Sequence, residues 1–173
     1  GVHLAEESQG VGIINTSSIQ YHVIEKIRND GYRVIYDDDN AGEMADIVAI
    51  KESEDVITVD LFHLKYAKEG KVSSRIDNLY EVCGQAQKSV HWKFKDSKDF
   101  FRHLYRRMIK KADGQTGSRF VVGNEQDLQR LETLAKVKLP MKFSITIVQP
   151  GLSHTKITED QKMLLAVTEQ YLL

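Results

Sequence analysis

With 173 residues, 41% of them hydrophobic, and only two prolines, the chain suits one compact domain that buries a real core. The 24 basic side chains are offset by 25 acidic ones, so a net charge of −1 gives no global bias towards a polyanionic partner. Cys83 is the only cysteine, which excludes an internal disulfide and points to a reducing, cytoplasmic setting. Its position on an apolar helical stripe marks it as a core thiol rather than a nucleophile. The opening GVHLAEESQG lacks the basic-then-apolar pattern of a signal peptide, and no apolar run reaches the roughly 20 residues a bilayer needs. No membrane partner, internal repeat or low-complexity tract is expected.

Residues 1–16 carry no clear pattern. Ser17 or Ser18 then caps a predicted helix to about Asn29, with Ile19, Val23, Ile24 and Ile27 on its apolar face and Gly31 as its stop. Three strands follow, Tyr32–Tyr36, Asp46–Ile50 and Val56–Tyr66, rich in β-branched and aromatic residues. The acidic stretch from Asp37 to Glu43 between the first two is expected to be a solvated turn; it lacks the spacing of a calcium loop. A helix from about Ser74 to His91 presents Ile76, Leu79, Tyr80, Cys83, Ala86 and Val90. A second, from Ser97 to Ala112, buries Phe101, Leu104, Tyr105 and Met108. After a flexible turn at 114–117 come a short strand, Phe120–Val122, and a helix capped by Asn124 that carries Leu128, Leu131 and Leu134. Pro140 ends that helix, and Met141–Val148 reads as a strand. Thr158-Glu159-Asp160-Gln161 is a capping box opening a last helix, which runs to Leu173 without a stop signal and suggests a piece of a longer chain. The order of elements predicts an α/β (α+β) sandwich with a mixed central sheet, a single domain over 1–173 with its core at about 17–150.

Chemistry is concentrated at the second and third strands. Asp46 opens one and Lys65 closes the other, in an otherwise apolar run where lysine is unusual. An acid at the mouth of a strand beside a lysine on its neighbour suits phosphodiester hydrolysis, which needs a carboxylate-held divalent metal and a cation near the phosphate or water. Lys65 read alone could equally be an edge lysine that snorkels to solvent. Two residues before Lys65, and therefore on its face, stands His63; Asp60, an odd number of positions away, faces the other side.

The phrases GEMADIVAI, VDLFHLKYA and YEVCGQAQKS together resemble the PD-(D/E)xK nuclease superfamily, and more narrowly nuclease domains at the C-termini of bacterial superfamily 2 helicases, some of them in phage-defence systems. The resemblance implies a restriction-endonuclease-like three-layer sandwich with an αβββαβ core. It implies a nuclease that hydrolyses DNA with magnesium or manganese, and a helicase module in the same full-length chain; a homo-oligomer is left open. Asp46 would ligate metal, Lys65 would orient or activate water, and Gln85 or Gln87 would position water or phosphate. His63 departs from the family, which has Asp or Glu there; His63 or Glu43 would then complete the metal shell. An unperturbed imidazole in that shell predicts manganese preference and lost activity below about pH 6. The departure keeps alive an inactive member of the fold that binds nucleic acid or docks a helicase. Finally Lys93, Arg102, Arg106 and Lys110 are expected to carry the nucleic-acid interface, the last three as a ridge on one helix.

Overall fold

A computed structural model describes residues 1–173 and has a mixed α/β fold. Helix α1 (Ile19–Ile27) is capped by Ser18, whose Oγ accepts the Tyr21 N–H at 3.1 Å. A meander follows of β1 (Val34–Asp37), β2 (Ile47–Glu52) and β3 (Ile57–Leu64). Next come α2 (Asp77–Ser89), a 3₁₀ turn over Val90–Phe94, and α3 (Ser97–Tyr105). The remaining elements are β4 (Ile109–Ala112), β5 (Gln115–Ser118), β6 (Phe120–Val122), α4 (Glu125–Val137), β7 (Met141–Val148) and α5 (Glu159–Leu172). The main sheet has five strands in the order β6-β1-β2-β3-β7, antiparallel except for the β3–β7 pair. No helix is long and apolar enough to cross a membrane.

Strand alternation sorts the core onto two faces. Ile35, Ile47, Ala49, Phe62 and Leu64 pack against Ile19, Ile24 and Ile27 of α1. Val34, Tyr36, Val48, Ile50, Val59 and Leu61 point the other way, into Phe100, Phe101 and Leu104 of α3 and Leu128 and Leu131 of α4. Helix α2 lies on this second face, where Leu79, Val82 and Cys83 meet Ile147 of β7 and Leu164 and Leu165 of α5. Cys83 is a buried core thiol, as its stripe implied, whereas Tyr80 turns out to solvent.

Two stretches depart from their predicted form: the helix expected to Ala112 ends early, and most of the flexible turn expected at 114–117 is strand β5. Helix α3 stops at Tyr105, and residues 109–112 form β4 instead, paired with β5 across Asp113-Gly114. Both turn residues have positive φ, 51° and 74°, the conformation that makes Asp-Gly a hairpin turn. Lys110 decides the switch: as a strand residue it points inward and is 1% exposed, against two aspartates.

Gly123, between β6 and α4, has a φ of +77°, and an added Cβ would lie 2.4 Å from the Arg33 carbonyl oxygen. Gly123→Ala is therefore expected to destabilise the fold by more than about 1 kcal/mol, read from the midpoint of urea unfolding; an unchanged midpoint would show that this backbone relaxes freely.

Candidate functional site

The C-terminal ends of β1 and β3 and the N-terminal end of β2 meet at one end of the sheet, since Asp37 pairs with Ile47 and Ile47 with Phe62. Asp46 and Lys65 both reach this end, and alternation places Asp46, His63 and Lys65 towards the α2 face. Asp60 faces α1, where it accepts the Tyr32 hydroxyl at 2.7 Å.

Asp46 is buried. Its Oδ2 accepts the Leu64 N–H at 2.7 Å, and its carbonyl accepts Gln20 Nε2 at 3.2 Å. One carboxylate oxygen from each of Asp39, Glu43 and Asp46 lies within 4.8 Å of the others. Burial, with the neighbouring charges of Glu43, Asp39 and Glu7 added, pushes Asp46 up to about 8 despite the Leu64 hydrogen bond. Glu43 is pushed up to about 7 by burial and the charges of Asp39 and Asp38. Partial burial would raise Asp39, but the Ser8 hydroxyl and the Lys110 ammonium more than offset this and hold it below its ordinary value. The all-oxygen donor set of Asp39, Glu43 and Asp46 could hold a hard divalent cation.

The loop carrying Asp39 and Glu43 is not the solvated turn expected of residues 37–43. Asp37 and Asp38 are buried, at 3% and 0% exposed. Arg107 and His103 pair with Asp38, and the Arg107 guanidinium also donates to the carbonyls of Asp38, Asn40 and Ala41. Lys110 Nζ lies 2.9 Å from both Asp37 oxygens and 3.0 Å from Asp39 Oδ2. Arg119 donates to the carbonyls of Asp37 and Asp39 at 2.8 Å. Every one of these cations comes from the segment after α2, far along the chain from the acids.

Lys65 is held rather than free. Its ammonium lies 2.9 Å from Glu81 Oε1 of α2 and 3.5 Å from Glu7 Oε2. Burial alone would lower its pKa, but the Glu81 hydrogen bond and the Glu7 and Glu81 charges keep it above its ordinary value. Lys65 is therefore a permanent cation, able to donate to water or phosphate and unable to act as a base. Glu7 also accepts the Tyr66 N–H at 2.8 Å, so the patternless N-terminal stretch lies across the site.

His63 stands outside the group formed by Asp39, Glu43 and Asp46, in which Glu43, the other residue expected beside Asp46, does take part. Its Nε2 is 2.8 Å from Ser89 Oγ, which donates its own proton to the Met44 carbonyl at 2.7 Å. Nε2 must then be the donor, and Nδ1 keeps a bare lone pair with no partner. Burial pushes His63 down to about 4, so it stays neutral at the pH 6 threshold expected from an unperturbed imidazole. His63, Glu43, Gln85 and Lys88 line a cavity of about 310 Å³, and Gln85 Oε1 is also without a partner. Gln87, by contrast, hydrogen-bonds Thr168 of α5 at 3.2 Å and serves the α2–α5 contact.

The predicted basic ridge does not form. Lys110 is buried in the pairs above, and Lys93 donates to the Leu172 carbonyl and lines an apolar groove between β7 and α5. Arg102 and Arg106 do share one groove near the cluster. Among the residues the sequence reading passed over, Asp39 carried a signal in the run of three aspartates; Glu7 and Glu81 carried none.

Compared with protein-family models, with curated proteins and with solved structures, the chain matches none of them.

Proposed function

We propose that this chain is a divalent-metal-dependent nuclease of the restriction-endonuclease-like class that hydrolyses DNA phosphodiester bonds, as part of a helicase–nuclease protein of the phage-defence kind. The observation that carries the reading is the convergence of Asp39, Glu43 and Asp46 at the sheet end where Lys65 emerges. The meander β1–β3 between α1 and α2, with β7 parallel to β3, supports it at the level of fold.

Asp39, Glu43 and Asp46 would hold the metal, with His63 lining the same cavity as Glu43. Magnesium suits the three carboxylates, and manganese also tolerates an imidazole nitrogen. A bound divalent cation supplies neutralisation of the phosphate and a more acidic water. Lys65 offsets negative charge developing on the scissile phosphate and orients water by donation. Glu7 and Glu81 hold that ammonium in place, and Gln85 lines the adjoining cavity.

Supercoiled plasmid incubated with the protein in magnesium, manganese or EDTA tests this. Nicking should require metal, and Lys65→Ala should slow it by about 10²-fold with folding intact. Metal-independent nicking, no nicking, or a wild-type rate in Lys65→Ala would overturn the assignment. The two ion pairs that occupy Lys65 favour one second reading, an inactive member of the fold that binds nucleic acid or docks a helicase. Retention of DNA on a filter by protein that never nicks would select the nucleic-acid form of that reading.

A further inference from the structure

A groove of about 500 Å³ runs beside the carboxylate cluster, lined among others by Gly42, Trp92, Lys95, Asp99, Arg102 and Arg106. Gly42 belongs to its wall and also to the wall of the cavity that holds Glu43 and His63. Lys95 and Arg106 have no carboxylate partner, and Arg102 has only Asp99, 3.3 Å away in a half-exposed pair. His103 and Arg107 are already committed to Asp38. The free charge of the groove is therefore positive, and a polyanion that enters it leads past Gly42 towards Glu43.

Immediately before Lys95 in the chain stands Phe94, 84% exposed and the most exposed of the large aromatic side chains. It ends the 3₁₀ turn Val90–Phe94, whose Trp92 is buried against Phe100 and His103, with ring centroids 6.4 and 5.2 Å away. Lys95 Nζ lies 4.8 Å from the centroid of that Trp92 ring. The residues on each side of Phe94 are thus anchored, and the phenyl ring is displayed to solvent on a fixed turn. A ring displayed in this way offers its face to a flat partner.

We infer that this groove binds single-stranded nucleic acid, with phosphates on Lys95, Arg102 and Arg106 and an unpaired base stacked on Phe94. In a duplex the base faces are covered by their neighbours; only an unpaired base offers a face to an aromatic ring. A lipid surface would take several apolar side chains side by side, whereas here one ring stands among cations. The inference rests on the nuclease reading for its biological use and names the substrate of that site as a strand with an unpaired stretch.

The test is fluorescence anisotropy in EDTA, where cleavage cannot interfere, with labelled oligothymidylate and a hairpin duplex of the same length. The wild-type protein should prefer the single strand. Phe94→Ala should weaken single-strand binding by about tenfold or more and leave duplex binding unchanged. Lys95→Ala and Arg106→Ala should each weaken both and flatten the salt dependence by about one phosphate contact. Equal affinity for the two probes, wild-type binding by Phe94→Ala, or Phe94-dependent binding to anionic phosphatidylserine vesicles in place of the oligonucleotide would overturn it. Single-strand binding through Phe94 by a protein that nicks nothing leaves this surface standing and removes the nuclease reading. Metal-dependent nicking with unaltered binding by Phe94→Ala does the reverse.

Discussion

Asp46→Asn should reduce metal-dependent cleavage by about 10³-fold or more and, at the same time, raise the thermal midpoint of the metal-free protein near pH 8. The loss follows from removing one of three converging carboxylates, an effect of several kcal/mol on the transition state. The gain follows from linkage. Asp46 titrates at about 8 in the folded protein, against an ordinary 3.8. Below pH 3.8 both folded and unfolded chains hold the proton, and this carboxyl costs the fold nothing. Between that pH and about 8 the unfolded chain ionises while the buried carboxyl resists, so stability falls steadily as pH rises. Glu43, pushed up to about 7, contributes in the same direction. Asparagine keeps an oxygen for the Leu64 N–H and has no proton to lose, so the variant should show a flatter profile. Magnesium or manganese should restore much of the lost stability in the wild type at pH 8 and little in Asp46→Asn. Thermal unfolding at pH 5 and pH 8, with and without metal, reads all of this. Parallel pH profiles for the two proteins, unmoved by metal, would remove Asp46 from the metal site.

Lys110→Met should destabilise the fold by about 3–5 kcal/mol, because it leaves buried Asp37 and partly buried Asp39 without their shared cation. Asp37 would retain the Gln9 and Gln20 amides, each donating at 3.0 Å, but no positive charge. Adding Asp37→Asn to Lys110→Met should recover a sizeable part of the loss, since the second change removes the stranded charge. Urea unfolding of the two single variants and the double closes the cycle. A loss below about 1 kcal/mol for Lys110→Met would be the behaviour of a surface lysine and would contradict the buried pairing. The same variant should also loosen Asp39, which Lys110 and Ser8 hold through one oxygen.

How far the sequence alone reaches can be followed residue by residue. The apolar period of Ile19, Val23, Ile24 and Ile27 predicts α1, and the β-branched runs predict β1 to β3 to within a few residues, because local pattern and final environment agree there. Strand alternation alone puts His63 and Lys65 on one face and Asp60 on the other, and the fold has them so. The capping boxes at Asn124 and Thr158 mark α4 and α5 for the same local reason.

Tertiary structure decided the rest. Residues 106–112 continue a helical pattern of Arg, Met and Lys, but a helix there would leave Asp37 and Asp39 without Lys110; the hairpin through Asp113-Gly114 delivers that cation. The aspartates of 37–39 look like a solvated turn because local sequence carries no trace of Arg107, Lys110 or Arg119, which arrive from some seventy to eighty residues away. Glu7 and Glu81 reach Lys65 in the same way, from opposite sides in sequence. His63 is assigned its proton and its low pKa by burial and by Ser89 of a different element. Periodicity is a property of neighbours along the chain and so fixes elements and faces. The partners and protonation of a buried charge depend on what the fold brings beside it, and that information is spread over the whole sequence.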